Sequence, residues 1–177
     1  MVLTLILLTI FLLMDIFSKY LVEVFIPHLT EIEAIPNVLD LTLSYNTGMA
    51  FSMLDDSTLL LAILSLVASI FMIFLVLQND WKTKKVYSIA STMILAGTYG
   101  NMIDRFLTVF GLRKGVVDMI IFKPLDWITN LITGSNSGFA VFNIADAFLV
   151  IGVILLAIDI LFFEERRKKL YGKAVSQ

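Results

Sequence analysis

The side chains with a capacity for chemistry are carboxylates and carboxamides set in apolar surroundings. Asp15 lies in "LLMDIFSKYL", Asn101, Asp104 and Arg105 in "GNMIDRF", and Asn143 and Asp146 in "FNIADAFLVIG". An ionisable group inside a membrane costs several kcal/mol, from about 2.5 upward, so each is a functional candidate. Two aspartates sharing a low-dielectric site do not both ionise easily: one keeps a proton while the other acts as base, a pairing that can activate water for amide hydrolysis. Other chemistries lack their parts. Without cysteine there is no disulfide or thiolate metal site, the single His28 rules out an HExxH zinc motif, and only carboxylates remain as metal ligands, so no metal or other cofactor is expected. Ser18 and Lys19 are helical neighbours that point in different directions, which defeats a serine–lysine pair.

The elements that must position these groups are apolar and long. Of the 177 residues 59% are hydrophobic, above the roughly 45–50% of soluble domains, and the excess is gathered into four blocks near residues 2–24, 58–78, 86–106 and 139–163. Each approaches the roughly 20 residues needed to span a membrane as helix. The first has no basic leader and no small-residue cleavage site, so it reads as a retained span. The expectation is an all-α membrane protein of four transmembrane helices, in one domain over residues 1–177. Eight of the thirteen basic residues fall in "NDWKTKKVY" and in the tail at 164–177. The positive-inside rule turns both toward the cytoplasm, with both termini inside and the connections 25–57 and 107–138 outside. The first connection contains "VLDLTLSYN", a partial apolar–polar alternation that predicts a strand followed by a turn at "NTGM", hence a small extracytoplasmic β-containing segment. A net charge of −2 gives no reason to expect a nucleic-acid partner.

At about 1.5 Å per residue, Asp15 falls roughly 20 Å from the start of its span, Asp104 about 28 Å beyond Lys85, and Asp146 roughly 10 Å below Phe139. All three approach the outer face, where Asn46 and Asp118 on the outer connections can meet them. Structural roles compete with chemistry. Asp15 and Lys19 share a helical face as an i,i+4 pair, Asp104 and Arg105 can brace the fold, Gly97 and Gly100 suit close helix packing, and Asp159 suits an interfacial ion pair. Two further classes of function stay open. A proton or ion transporter would spread its carboxylates through the membrane, and a non-catalytic scaffold would tolerate Asp-to-Asn changes.

Five motifs in order, "DIFSK" (Asp15–Lys19), "NTGMAF" (Asn46–Phe51), "GNMIDR" (Gly100–Arg105), "VVD" (Val116–Asp118) and "FNIAD" (Phe142–Asp146), resemble those of the lipoprotein signal peptidases, or signal peptidase II, from about Asp15 to Gly152. The resemblance implies an aspartic endopeptidase of the bacterial inner membrane. It would cut prolipoproteins before a diacylglyceryl cysteine, with membrane lipids around it, as a monomer. It implies catalytic aspartates at Asp118 and Asp146, with Asn46, Gly48, Asn101, Asp104, Arg105 and Asn143 supporting or lining the site and Asp15 a structural or substrate-side contact. Asp104, followed by Arg105, then reads as an ion-paired brace. Two departures stand out: "AGTYGN" where "GGA" usually precedes "GN", and the long stretch between Asp118 and Asp146. In that stretch Trp127, with Leu125, Ile128, Leu131 and Ile132, resembles an amphipathic segment able to lie on the outer leaflet as a lid, and a disordered insertion is the alternative that stays open.

Overall fold

A computed structural model describes residues 1–48, 58–134, 138–165 and 167. Residues 49–51 of "NTGMAF", the centre of "GSNSG" and the basic tail after Arg167 lie outside the described residues. Five helices, α1 (Val2–Phe25), α2 (Thr58–Val76), α3 (Lys85–Val109), α4 (Asp126–Thr133) and α5 (Ile144–Ile158), accompany three strands, β1 (Ile32–Ile35), β2 (Leu39–Asn46) and β3 (Val116–Phe122).

Among the described residues three helices are long and apolar enough to cross a membrane: α1, α2 and α5 with its continuation to Glu164. The third expected span, α3, forms but falls short of that apolarity among the described residues, and the reason lies in its position. It packs against α1, α2 and α5, and Ser88, Ala90, Ser91, Thr92, Ala96, Gly97 and Gly100 are all buried within it. A helix surrounded by other helices meets protein more than lipid, and small residues let their backbones approach. A Cβ on Gly97 would run into the Ala145 carbonyl oxygen and sit 2.7 Å from Leu149 Cγ. The bulky Tyr99 of "AGTYGN" packs against the cluster of Met72, Val76, Ile94 and Leu95.

β1, β2 and β3 form an antiparallel sheet in that order. Ser44 pairs with Asp118 and Asn46 with Val116, and the register shifts between Leu41 and Ser44. Leu43, Val117 and Met119 close against Val22 and Ile26 at the end of α1, so the sheet is seated on the bundle. The expected strand is β2. β1 and β3 emerge only in three dimensions, β3 because its backbone completes the β2 edge and its Val117 and Met119 reach this core.

The last helix starts later than its apolarity suggests, at Ile144 and not near Phe139. Phe142 instead joins Ile120 as an isolated bridge, and Asn143 stops the helix by capping it, with its side chain accepting from Asp146 N and the Asp146 carboxylate accepting from Asn143 N. Asp146 is therefore the third residue of α5, shallower than the sequence-based depth. At the bundle end away from the sheet, Asn79 Nδ2 and Trp81 Nε1 both donate to Thr4 Oγ1, at 3.3 and 2.8 Å. There the chain beyond α5 winds as a π-helical turn (Asp159–Glu164), and Asp159 accepts two bonds from Arg167, at 2.8 and 2.5 Å.

Candidate active site

The site grows outward from Asn143, which is fully buried. Its Nδ2 lies 2.8 Å from Asp118 Oδ1, 3.0 Å from Asn101 Oδ1 and 3.2 Å from the Val117 carbonyl oxygen. Its backbone N–H donates to Asp146 Oδ2 at 3.2 Å. One residue thus holds both Asp118 on the sheet and Asp146 on α5. Each aspartate has a second amide donor: Asn46 Nδ2 lies 3.0 Å from Asp118 Oδ2, and Asn101 Nδ2 lies 2.7 Å from Asp146 Oδ1. Asn46 Oδ1 in turn accepts from Gly48 N at 2.8 Å. Gly48 has φ +91°, a left-handed conformation that glycine adopts without penalty.

Asp118 is 4% exposed. Burial pushes its carboxyl from an ordinary 3.8 up to about 6; the bond from Asn46 works against this, the charge of Asp146 adds to it, and the bond from Asn143 and the charge of Lys19 oppose it. Asp118 therefore carries a proton over a pH range in which an ordinary aspartate has lost it. The segment that carries it is the strand β3, and Lys114, just before that strand, has its Nζ over the Tyr45 ring.

A second layer braces the first. Lys19, 1% exposed, reaches Asp15 Oδ2 and Asp104 Oδ2 at 2.8 Å each and Asn101 Oδ1 at 3.3 Å. Asp15 Oδ1 accepts from Ala145 N at 3.0 Å in the first turn of α5, so Asp15 anchors the start of that helix. The approach needs Gly100, where a Cβ would collide with the Asp15 carboxylate. Asp104 is an ion-paired brace, but with Lys19 and Arg113 and not with Arg105. It also accepts from Val117 N at 3.4 Å, next to Asp118. Arg113 continues to Glu23 at 2.5 Å. Sequence reading missed Arg113 and Glu23, because nothing in their local spacing brings residues ninety positions apart together. Lys19 was visible only as the partner of Asp15.

Arg105 takes a different place. Among the described residues it makes no hydrogen bond or ion pair, and it lines two clefts. One, of about 20 Å³, lies against Asn46, Thr47 and Gly48; the other, of about 350 Å³, runs between α2, α3 and α5 past Asn101 and Asp146. A third groove, of about 540 Å³ and apolar apart from Asp146 in its lining, runs between Phe122, Phe139, Phe142 and Ile151. The expected residues therefore separate into three groups. Asn46, Asn101, Asp118, Asn143 and Asp146 form one hydrogen-bonded set, with Gly48 shaping its rim. Arg105, without a hydrogen bond or ion pair among the described residues, lies beside it within reach of its charges, and Asp15 and Asp104 lie behind it. Among the described residues no cluster of metal-ligating side chains occurs; the cradle around both aspartates consists of amide donors, which suit carboxylates and not a cation.

Two carboxylates held in register at one end of an apolar bundle, beside grooves open toward its sides, define a membrane enzyme. Two solved structures share the fold: one described as a bacterial membrane enzyme determined by the in meso method at 1.9 Å resolution, with TM-score 0.74 and 26% identity over 92% of this chain and 95% of that one, and a second at 2.3 Å, with TM-score 0.73 and 26% identity over 91% and 88%. The family model for signal peptidase (SPase) II matches residues 7–162. Relatives named lipoprotein signal peptidase include those of Enterococcus faecalis, 34% identical over 88% of this chain and 86% of the relative, and Deinococcus radiodurans, 37% identical over 81% and 70%. The chain belongs to the signal peptidase II family and is an aspartic-type endopeptidase.

Proposed function

We propose that Asp118 and Asp146 are the catalytic pair of a prolipoprotein signal peptidase that cuts the signal peptide just before a diacylglyceryl cysteine. The observation that carries this is the double role of Asn143, whose side chain holds Asp118 and whose backbone holds Asp146. Asp118, kept protonated by burial up to about 6, donates to the scissile carbonyl oxygen. Asp146 takes a proton from the attacking water. The resulting tetrahedral diol collapses as Asp146 passes that proton to the departing amine, and a diol hydroxyl returns a proton to Asp118. Arg105, with no hydrogen bond or ion pair among the described residues and lining two clefts, is suited to hold a peptide carbonyl there.

The protein works as a single domain and a monomer in the bacterial inner membrane, with α3 as a fourth span; its 25 residues rise about 37 Å, enough to cross. Both termini face the cytoplasm, as the lysine-rich α2–α3 connection favours, and the site faces outward. A transporter reading gains nothing from Asp159, which is closed off by Arg167. The test is incubation of purified protein with a diacylglyceryl-modified prolipoprotein, comparing wild type with Asp118→Asn and Asp146→Asn. Wild type is expected to cleave and both variants to lose cleavage. Turnover surviving in either variant refutes the pair, and folded wild type without cleavage refutes the substrate.

A further inference from the structure

The end of the bundle away from the sheet holds a cavity remote from both aspartates. It measures about 640 Å³ and lies between the end of α2 (Leu75, Gln78), the start of α3 (Lys84, Tyr87) and the π-helical turn (Ile160, Glu164). That volume falls within the roughly 300–1,000 Å³ of small-ligand sites. The packing that closes the bundle stops short of it. Leu156 still packs against the Met72, Val76, Ile94 and Leu95 cluster, but four residues later Ile160 is exposed. The winding changes over the same residues, and π-helical turns inside helices are frequent at functional sites.

Two characters meet in the lining. Leu75 and Ile160 belong to helices apolar enough to cross a membrane, whereas Gln78 and Lys84 lie where that apolar chain gives way to "QNDWKTKK". Of the two carboxylates, Asp159 is neutralised by Arg167, and Glu164 has an interaction of its own. Lys84 has no ion pair among the described residues. The nearby Asp80 accepts instead from Thr83 Oγ1 at 2.5 Å and from the Lys82 and Thr83 backbone N–H groups. The Lys84 ammonium rests 5.7 Å from the centre of the Tyr87 ring. That ring is fixed in turn, because the Tyr87 hydroxyl donates to the Leu75 carbonyl at 3.0 Å.

We propose that this cavity binds a glycerophospholipid of the surrounding leaflet, its headgroup phosphate against Lys84 and Gln78 and an acyl chain along Leu75 and Ile160. Gln78 gives one N–H to the Phe74 carbonyl at 3.4 Å and keeps a second for the phosphate. Basic pockets between spanning helices suit lipid headgroups. Free phosphate would satisfy Lys84 but leave Leu75 and Ile160 uncovered, so the whole lining favours the lipid. The site is independent of the peptidase reading, because its occupation needs no substrate.

Native mass spectrometry of the full chain, lipid-free in detergent and then titrated with phosphatidylglycerol or phosphatidylethanolamine, reads the bound lipid. Wild type is expected to retain either phospholipid, and Lys84→Met to bind both about fivefold more weakly, the worth of one lysine near a headgroup. Lys84→Arg keeps the affinity, as does Lys82→Met, which removes a lysine of the same connection that does not line the cavity. Binding of diacylglycerol, which lacks the phosphate, is equal in wild type and Lys84→Met. The melting temperature of Lys84→Met without lipid should match wild type, since no ion pair is lost. Wild type that retains no phospholipid overturns the proposal, as does Lys84→Met with undiminished affinity. An equal loss in Lys82→Met also overturns it, by showing a diffuse effect of surface charge. Displacement of the phospholipid by an equal concentration of inorganic phosphate would make this a free-anion site and overturn it too.

Discussion

Replacing Asp118 by asparagine should make the protein more stable while destroying its activity. The native carboxyl titrates at about 6 against an ordinary 3.8, chiefly because it is buried. Its proton is therefore held more tightly in the folded than in the unfolded chain. As pH rises from about 4 through 6 the unfolded state releases this proton first, and folding loses stability until both states are ionised. At roughly 1.36 kcal/mol per unit the loss at neutral pH is about 3 kcal/mol. Asparagine is never ionised and escapes it. The substitution has its own cost, since an amide offers one acceptor oxygen where the carboxylate accepts from both Asn46 and Asn143; one unmatched donor pair costs about 1 kcal/mol. The net gain is about 2 kcal/mol at pH 7.5, or roughly 4–8 °C in melting temperature for a chain of this size. At pH 4, where the wild-type carboxyl is protonated in the fold, the variant should match wild type or fall slightly below it. Thermal unfolding followed by intrinsic fluorescence in detergent at both pH values reads the difference. A variant equally destabilised at both, or a gap that narrows as pH rises, would show that Asp118 is not under this electrostatic load, and the assignment of Asp118 as the proton donor would fall with it.

Two further substitutions probe the layer behind the aspartates. Gly100→Ala drives a methyl group into the Asp15 carboxylate and to 3.2 Å from the Ala145 side chain; the cost should be about 1–3 kcal/mol, read as a lower melting temperature, and cleavage should fall because Asp15 anchors the first turn of α5. Lys19→Met strips the shared cation from the buried Asp15 and Asp104 and should cost about 3–5 kcal/mol. Adding Asp15→Asn to Lys19→Met should recover part of that loss in the same melting assay. If the double variant is less stable than Lys19→Met alone, the two side chains are not compensating each other's burial.

Much of this site is local and therefore readable along the chain. Asp15 and Lys19 form a pair because four residues bring side chains onto one helical face, and Asn143 with Asp146 is a helix cap whose spacing is fixed by the first turn. Gly97 and Gly100 marked a close helix contact by type alone. β2 showed in its alternation. Where local pattern misled, the competing force is identifiable. Apolarity from Phe139 onward suggested helix, but Asn143 holds the capping position and the residues before it bridge to β3. Adjacency suggested an Asp104–Arg105 pair, but consecutive helical residues face apart, and Asp104 meets Lys19 and Arg113 while Arg105 turns to the clefts.

By itself, then, the sequence determined a membrane-embedded helical protein, the family-like order of its motifs, and the carboxylate chemistry open to it, because hydropathy and short spacings are properties of neighbouring residues. Only the tertiary structure decided how those carboxylates are held: that Asn143 joins Asp118 to Asp146, that Lys19 serves two aspartates at once, and that α3 is cased in other helices. Each of these depends on strands and helices far apart in the chain meeting at one end of the bundle. Such meetings are set by packing of the whole chain, which no local pattern encodes.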